Sequence, residues 1–308
     1  MRIDELLGGD EPIFSFEFFP PKTAKGEETL FRAVADLQAL HPAFTSVTYG
    51  AGGTTQDKTL EIVKRIKDEF GLESMAHFTC VSATTEQLRE RLDEMQAAGL
   101  DNVLALRGDP PQGQEEWLAA EGGLEYSHQL VSMLRADYPF SVGAACFPEG
   151  HIHASSPEDD LRYLKEKVDA GVDFLITQMF FDNQLFYDFV ERARGIGIDV
   201  PIIPGIWTIT SYKQIARVTA MCGATLPEHV LTELEARKDD DEAVAEFGVS
   251  YATMQCADLL AHGVPGLHFY TMNRSPATRA ILSTLKLWRP WDPEHRGLGA
   301  PRRPPAVA

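Results

Sequence analysis

The sequence predicts one (β/α)8 TIM barrel, an α/β fold, with an extra helix inserted before the last strand. A β-branched or aromatic run followed by an amphipathic stretch recurs roughly every 30 residues. Strands that alternate with helices pair in parallel through right-handed crossovers. Eight such units favour closure of the sheet into a (β/α)8 barrel, and an open doubly wound sheet is the alternative. We expect one catalytic domain over 1–288 and a mobile Pro- and Arg-rich tail over 289–308.

Eight segments have the length and composition of buried strands. In chain order they are 13–19, 44–50, 74–81, 102–109, 140–148, 174–181, 201–207 and 266–273.

The stretches between these strands have helical patterns. In 85–99, Leu88, Leu92 and Met95 share one face, and 156–171 begins with Ser156 as a plausible N-cap before Pro157. The stretch 223–263 is too long for one helix, so it predicts an inserted helix followed by the regular one. Its acidic run at 239–242 is best explained as a solvated turn and helix start.

The composition excludes several classes of protein. The formal net charge of -18 argues against a nucleic-acid binder and disfavours an anionic membrane surface. No apolar run is long enough to span a membrane, and the acidic N-terminal residues are unlike a signal peptide, so we expect a cytoplasmic protein. The four cysteines are far apart without a C-x-x-C pair, which favours buried thiols over disulfides or a zinc site.

The segment FSFEFFPPK (14–22) places one carboxylate, Glu17, inside a run of phenylalanines. Strand alternation puts Ser15 and Glu17 on one face and Phe14, Phe16 and Phe18 on the other. In a barrel wall this carboxyl group would be poorly solvated, so we expect a raised pKa and a role as general acid. The alternative is a structural carboxylate paired with a neighbouring Lys or Arg.

The chemistry of a barrel lies at the C-terminal ends of its strands. The residues at or just after the predicted strand ends are mostly polar, which is more than a structural ring needs. They are Glu17, Thr48, Tyr49, His77, Arg107, Gly108, Asp109, Phe147, His151, Gln178, Asn273 and Arg274. His151 and His153 could form a metal pair, but no third ligand accompanies them, which disfavours a metal site. The glycines of 49–55 match neither a dinucleotide fingerprint nor a P-loop.

The helix after the fifth strand carries a further signal. Asp160, Tyr163 and Lys167 lie at i, i+3 and i+7, on one helical face. Such a face could bind a ribose hydroxyl, a ring and a phosphate, or it could be an ordinary solvated surface with salt bridges.

Eight collinear blocks together make the chain identifiable by resemblance. They are FSFEFFPPK, SVTYGAGGTT, HFTCV, LALRGDPP, FPEGH, DAGVDFLITQMFFD, IIPGI and HFYTMNR. In this order, over about residues 10–288, they resemble the bacterial methylenetetrahydrofolate reductases. The resemblance implies FAD at the C-terminal face of the barrel and NADH or NADPH as reductant in a ping-pong reaction. That reaction reduces methylenetetrahydrofolate to 5-methyltetrahydrofolate for methionine synthesis, in a homo-oligomer.

The resemblance also implies roles for individual residues. Glu17 matches the acid that promotes opening of the bridged folate ring to an iminium ion, and Asp109 matches a residue near both flavin and pterin. Gln178 matches a side chain that contacts pterin and nicotinamide in turn, and Thr48 matches a position beside the nicotinamide. Gln214 and Arg274 match folate contacts. The implied FAD contacts are Tyr49, Ala51, His77, Arg107, Gly108, Asp109, Ser127, Phe147, His151, Ala154, Asp160, Tyr163 and Lys167.

Five positions depart from the pattern of the best-known enterobacterial members. They are Ser127, Phe147, Tyr163, Glu166 and Val218, where the pattern has alanine, tyrosine, asparagine, arginine and a large aromatic residue.

Two other functions are compatible with a barrel. One is a flavin-free lyase or aldolase, but no lysine ends any of the eight predicted strands to form a Schiff base. The other is an inactive folate- or flavin-binding scaffold, which the joint presence of Glu17, Asp109 and Gln178 disfavours.

Overall fold

A computed structural model describes residues 1–49, 56–108 and 119–295. Within these ranges one parallel sheet is built from nine strands. The strands are β1 (Ile13–Phe18), β2 (Phe44–Val47), β3 (Ser74–Thr79), β4 (Asn102–Leu106), β5 (Ser141–Cys146), β6 (Phe174–Thr177), β7 (Ile202–Ile203), β8 (Gly205–Trp207) and β9 (Gly266–Tyr270).

Helices surround the sheet and follow the strands in alternation. They are α1 (Ala24–Gln38), α2 (Gln56–Phe70), α3 (Thr85–Ala97), α4 (Ser127–Asp137), α5 (Pro157–Asp169), α6 (Asn183–Gly195), α7 (Tyr212–Cys222), α8 (Glu228–Arg237), α9 (Asp241–Ala261) and α10 (Pro276–Trp288). A short 3-10 helix, Asp4–Leu6, precedes β1. α8 is the inserted helix that the sequence predicts.

The seventh predicted strand, 201–207, is divided in two and closes the barrel. β7 pairs with β6, whereas β8 pairs with β9, and only Pro204 separates them. Proline has no backbone N–H to give to a sheet, so a break in the ladder at this position follows from its chemistry. The carbonyl oxygen of Pro204 still accepts a hydrogen bond from the backbone N–H of His268 at 3.0 Å. The eight-unit barrel is confirmed, and the open doubly wound sheet is wrong.

The alternation predicted for β1 is confirmed. Phe14, Phe16 and Phe18 pack between the barrel wall and the helices. Ser15 and Glu17 are buried on the opposite face, toward the barrel interior. A separate apolar cluster in that interior contains Ile3, Phe44, Met75, Leu104, Phe174, Ile176 and Ile203. Polar side chains are buried beside it, and Asn102, the first residue of β4, accepts a hydrogen bond from the backbone N–H of Ile3 at 2.8 Å.

The predicted helix signals are also confirmed. Ser156 caps α5 by accepting a hydrogen bond from the backbone N–H of Asp159 at 3.1 Å. Leu88, Leu92 and Met95 form the buried face of α3. The acidic run before α9 supplies its N-cap, Asp240, whose Oδ1 accepts from two backbone N–H groups.

Residues 289–295 contact the segment before β1. Arg289 and Trp291 both donate to the carboxylate of Glu11, at 2.6 and 2.7 Å, and the Trp291 ring lies 5.9 Å from that of Phe14. The rest of the predicted tail, 296–308, lies outside the described residues. All four cysteines are free thiols, and Cys80, Cys146 and Cys256 are buried. In the part of the chain that the structure describes, no helix has both the length and the apolar character of a membrane span.

Candidate active site

Glu17 is the centre of a buried polar cluster near the C-terminal end of β1. Its Oε2 lies 3.1 Å from Nε2 of His77 on β3 and 3.4 Å from Nε2 of His268 on β9. The hydroxyl of Ser46 on β2 donates to the same oxygen at 3.4 Å. Since Glu17 is only 5 % exposed, the three neighbours largely replace water around one carboxylate oxygen.

The two histidines reverse the expected electrostatics of Glu17. Burial raises the pKa of this carboxyl group, but the charge of His77 and the hydrogen bond from His268 together lower the pKa from 4.5 to about 2. The sequence-based expectation of a raised pKa is therefore wrong. The partner is neither Lys nor Arg, as the structural alternative assumed, but a pair of imidazoles that can themselves carry a proton.

The backbone of Glu17 is held by the residues that follow β9. Thr271 donates its hydroxyl to the carbonyl oxygen of Glu17 at 2.6 Å. Asn273 exchanges two hydrogen bonds of 2.8 Å with the backbone of Phe19 through its side-chain amide. Met272 and Asn273 both adopt left-handed backbone conformations, with φ of 52° and 57°, which turn the chain sharply there. Strand β1 and the last strand are thus joined where Glu17 lies.

His77 carries an unfulfilled hydrogen-bonding group. Although its Nε2 is 3.1 Å from Glu17, it makes no aligned hydrogen bond to any atom of the described residues. The hydroxyl of Thr79, two residues further along β3, is also buried without a partner there. Buried polar groups are normally satisfied, so two neighbouring exceptions indicate a place where a ligand binds.

A cavity of about 390 Å³ lies over the C-terminal ends of β3, β4 and β5, and we call it the β3–β5 cavity. Its lining includes Thr79 and ten of the side chains implied for FAD: Tyr49, Arg107, Gly108, Ser127, Phe147, His151, Ala154, Asp160, Tyr163 and Lys167. These residues come from five separate parts of the sequence. The structure therefore brings together most of the predicted cofactor set.

The β3–β5 cavity is lined by a partly buried lysine and by a glycine that its backbone conformation requires. The Nζ of Lys167 donates to the carbonyl oxygen of Ala145 at 2.7 Å, and burial lowers the pKa of this lysine. Gly108 has a φ of 90°, and a Cβ added there would lie 2.8 Å from Val81. Only glycine fits that conformation and the close approach of Thr79 and Val81.

The donor set of this cavity suits a flavin dinucleotide. Lys167 and Arg107 provide cationic donors for phosphates, and Tyr49, Phe147 and Tyr163 provide aromatic surfaces for flat rings. The carboxyl group of Asp160, whose pKa is raised by burial, is available to ribose hydroxyls. Together with the unpartnered hydroxyl of Thr79, these residues fit FAD.

Glu166, one of the departures from the family pattern, does not line the cavity. Its carboxylate pairs with Arg162 at 3.1 Å on the exposed side of α5. The guanidinium of Arg162 in turn lies 4.4 Å above the ring of Tyr163, which does line the cavity.

A second and larger cleft, of about 1290 Å³, lies between α7, α9 and the end of β9. Gln214 and Arg274, the two positions implied for folate, both line it, together with Tyr270 and Thr271. Tyr270 is in register with Glu17, and Thr271 donates a hydrogen bond to the carbonyl oxygen of Glu17. This cleft therefore adjoins the buried cluster.

Two other predicted residues lie at the expected strand ends. Gln178 follows β6, and its side-chain oxygen accepts from the backbone N–H of Met179 at 3.0 Å, which leaves its amide N–H groups for a ligand. Thr48 follows β2, and its carbonyl oxygen accepts from the hydroxyl of Thr59 at 2.9 Å. Ala51 and Asp109 lie outside the described residues.

The described residues contain no group of three or more His, Cys, Asp or Glu side chains that could hold a metal ion. His151 and His153 lie with their ring centres 5.4 Å apart.

Comparison with known proteins identifies the family of the chain. A family model described as methylenetetrahydrofolate reductase matches residues 2–286. The chain is 40% identical over 273 residues to 5,10-methylenetetrahydrofolate reductase of Pectobacterium carotovorum, which covers 88% of this chain and 89% of that protein. It is 39% identical over 272 residues to the protein of that name from Escherichia coli, with 88% and 90% coverage.

Longer relatives match equally well over part of their length. Methylenetetrahydrofolate reductase (NADH) 1 of Arabidopsis thaliana is 43% identical over 297 residues, which is 93% of this chain but 50% of that protein. The chain thus spans about half the length of this relative and of the maize and rice relatives that it matches.

Among solved structures, a Clostridium thermocellum protein that binds two copies of 5-methyl-5,6,7,8-tetrahydrofolic acid superposes with a TM-score of 0.60. The two share 15% identity over 92% of this chain and 97% of that one, so the likeness concerns the fold alone. The assignment to a family rests instead on the match over residues 2–286 and on the bacterial relatives at about 40% identity. The chain belongs to the methylenetetrahydrofolate reductase family.

Proposed function

We propose that the chain reduces 5,10-methylenetetrahydrofolate to 5-methyltetrahydrofolate, with bound FAD and with NADH or NADPH as reductant in a ping-pong reaction. The observation that carries the proposal is the buried Glu17–His77–His268 cluster, which adjoins the cleft lined by Gln214 and Arg274. The printed names of the relatives support the reaction, and they include both NADH and NADPH forms.

The β3–β5 cavity is the proposed FAD site. Lys167 and Arg107 would bind the phosphates, Asp160 a ribose, and the aromatic side chains the rings. When bound, FAD supplies the hydride carrier between nicotinamide and folate. Thr79 would offer its unpartnered hydroxyl to that group.

Glu17 is the proposed source of the proton that opens the bridged folate ring. As the carbon–nitrogen bond of the ring breaks, the departing nitrogen must gain a proton. In the described residues, the polar contacts to the Glu17 carboxylate from Ser46, His77 and His268 are all made to Oε2, so Oε1 remains for the substrate.

The cluster can hold this proton in two forms. With water present, the low pKa of Glu17 favours its carboxylate form. Ligands that fill both cavities exclude water, and a dry site disfavours a charged carboxylate. The carboxyl group then takes up a proton, which it can deliver from Oε1. The acid of the reaction is in this account the Glu17–His77 pair, with Glu17 as the delivering member.

Several parts of the proposal rest on the family resemblance alone. Asp109 and Ala51 are proposed to lie near the flavin, and Gln178 and Thr48 to contact the pterin or the nicotinamide. We favour NADH because the sequence has no obvious group of arginines that could bind the 2′-phosphate of NADPH. Supply of methyl groups for methionine, a cytoplasmic location and a homo-oligomeric state are proposed on the same ground.

The test is a turnover assay with the purified protein. We expect visible flavin absorption, bleaching by NADH without oxygen, and formation of 5-methyltetrahydrofolate when methylenetetrahydrofolate is added, detected by mass spectrometry. A protein that binds no added FAD and forms no product would contradict the proposal. Product formation without any flavin would favour another reaction path.

A further inference from the structure

His268 lies nearer the beginnings of the strands than Glu17, because it is in register with Ser15. The side chain of His268 is fully buried, and its Nε2 is 3.4 Å from Oε2 of Glu17. Its other ring nitrogen, Nδ1, lies 2.8 Å from the hydroxyl oxygen of Ser15. A chain of polar groups therefore runs from Ser15 through the imidazole to the carboxyl group.

Two aromatic rings fix the plane of His268. Phe44 stacks on it with ring centres 5.9 Å apart and an angle of 19° between the planes. Tyr270 meets it edge-on, at 5.5 Å and 90°. The imidazole has hydrogen-bonding partners at both nitrogens and aromatic rings against its face and its edge, so it has little freedom to rotate.

Ser15 can serve both charge states of His268. Its hydroxyl lies 3.4 Å from the carbonyl oxygen of Leu267 as well as 2.8 Å from Nδ1. It can donate to Leu267 while it accepts from an Nδ1–H group, or it can donate to a bare Nδ1. The imidazole thus stays hydrogen-bonded whether it is neutral or protonated.

His77 and His268 contact Glu17 in different ways. The remaining groups near this carboxyl are Ser46, which donates to Oε2, and the phenol of Tyr270, whose pKa is raised first by burial and also by Glu17. His77 has no aligned hydrogen bond in the described residues, so a ligand can still engage it. His268 has both nitrogens engaged within the protein.

On the basis of the proposed function, we propose that His268, held by Ser15, is a positioning residue for the acid step. It holds Oε2 of Glu17 from the side nearer the strand beginnings and so directs Oε1 toward the folate. It also gives the carboxylate left after proton transfer a hydrogen-bond donor that needs no rearrangement.

The experiment compares His268→Gln, His268→Leu and Ser15→Ala with the unaltered, FAD-loaded protein. The amide of glutamine can still donate to Oε2, whereas leucine cannot. We expect His268→Leu to slow oxidation of the reduced protein by methylenetetrahydrofolate roughly 10- to 100-fold, because a displaced acid group loses its alignment. His268→Gln should recover much of that loss, and reduction by NADH should change less than about twofold in each variant, since it does not require the aligned acid.

The matched control is Thr45→Val. Thr45 and Ser74 form a buried hydroxyl pair, 2.9 Å apart, between neighbouring strands of the same barrel, without contact to Glu17. This variant should keep the folate rate, so a loss in His268→Leu cannot be attributed to any buried polar deletion. Equal losses in Thr45→Val and His268→Leu would overturn the inference.

A readout independent of turnover separates this inference from the proposed function. The ¹³C signal of the Glu17 carboxyl group, followed against pH, should titrate at higher pH in His268→Leu, because a donor to the carboxylate is removed. Ser15→Ala should give a smaller shift in the same direction, and it remains informative if the leucine variant does not fold. An unchanged titration in both variants would refute the positioning role even if the protein turned over no folate. A shifted titration without turnover would refute only the proposed reaction.

Discussion

Glu17 and His77 reach each other across an intervening strand. Glu17 is on β1 and His77 on β3, with β2 between them, yet Oε2 and Nε2 are 3.1 Å apart. Ser46, the residue of β2 that is in register with Glu17, donates to the same oxygen. Inward-pointing side chains of a barrel converge toward its axis, which is why residues of strands that are not paired can form one site.

The low pKa of Glu17 predicts a pH-dependent contribution to stability. A folded-state pKa of about 2, below the ordinary 4.5, means that the unfolded chain takes up the proton first as the pH falls. The stabilisation is therefore present above about pH 4.5 and is lost between that pH and about 2. We expect it to amount to a few kcal/mol.

Guanidinium unfolding at pH 6 and pH 3 measures this contribution. The free energy of unfolding should fall more steeply in the unaltered protein than in Glu17→Gln. Glu191→Gln, a change at an exposed position of α6, serves as the control and should keep the full pH dependence. Identical slopes for the unaltered protein and Glu17→Gln would mean that the histidines do not stabilise the carboxylate.

The same substitution at Lys167 and at Lys165 should affect FAD binding differently. Lys167 lines the β3–β5 cavity, whereas Lys165, two residues earlier in α5, is ion-paired with Asp169 outside it. Lys167→Met should weaken FAD binding by about 10- to 100-fold, the value of a charge-assisted hydrogen bond to phosphate. Lys165→Met should leave binding within about twofold, since exposed ion pairs contribute little.

Titration of the apoprotein with FAD, followed by quenching of flavin fluorescence, gives both dissociation constants. Equal affinities for the Lys167 and Lys165 variants would indicate that the cofactor phosphates lie elsewhere.

Gly205 is predicted to be essential for closing the barrel. A Cβ at this position would overlap the carbonyl oxygen of Thr177 and the hydroxyl of Tyr270, which are themselves hydrogen-bonded at 2.6 Å. Gly205→Ala should therefore lower the free energy of unfolding by about 1–3 kcal/mol or more.

The control for this change is Gly195→Ala at the end of α6. A Cβ there meets nothing within 4 Å, and the backbone does not require glycine, so this variant should be neutral or stabilised by up to about 1 kcal/mol. Chemical denaturation of both variants measures the difference. Equal stability of the two variants would mean that Thr177 and Tyr270 can move apart to accommodate a methyl group at position 205.

The sequence was sufficient to predict the barrel because its signals are local. Alternating strands and helices, the cap at Ser156 and the inserted helix α8 each depend on a few consecutive residues. The break at Pro204 was not predicted. A missing backbone donor can be read from the sequence, but the change of pairing partner depends on how strands that are distant in sequence meet.

The environment of Glu17 required the three-dimensional structure. His268 is 251 residues away in the chain, and neither it nor Ser15 stood out in the sequence. A signal was present, because a polar histidine at an inward position of an otherwise apolar strand, GLHFY, needs a buried partner. Without that partner, burial alone suggested a raised pKa for Glu17, which is the wrong direction.

The residues of the β3–β5 cavity illustrate the opposite case. Asp160, Tyr163 and Lys167 were grouped from helical spacing, and the structure gives all three to one cavity. Their partners Ser127 and Ala154 came from the family resemblance alone, because spacing along one helix carries no information about distant loops.

The most direct test of the account is a single-turnover experiment with Glu17→Gln. The FAD-loaded variant is reduced with NADH and then mixed, without oxygen, with methylenetetrahydrofolate, while flavin absorption is followed by stopped flow. Reduction by NADH should proceed at nearly the normal rate, and reoxidation by the folate should slow by about 10²- to 10⁴-fold, the usual contribution of a general acid. Reoxidation of the variant at the rate of the unaltered protein would contradict the assignment of Glu17 as the proton donor.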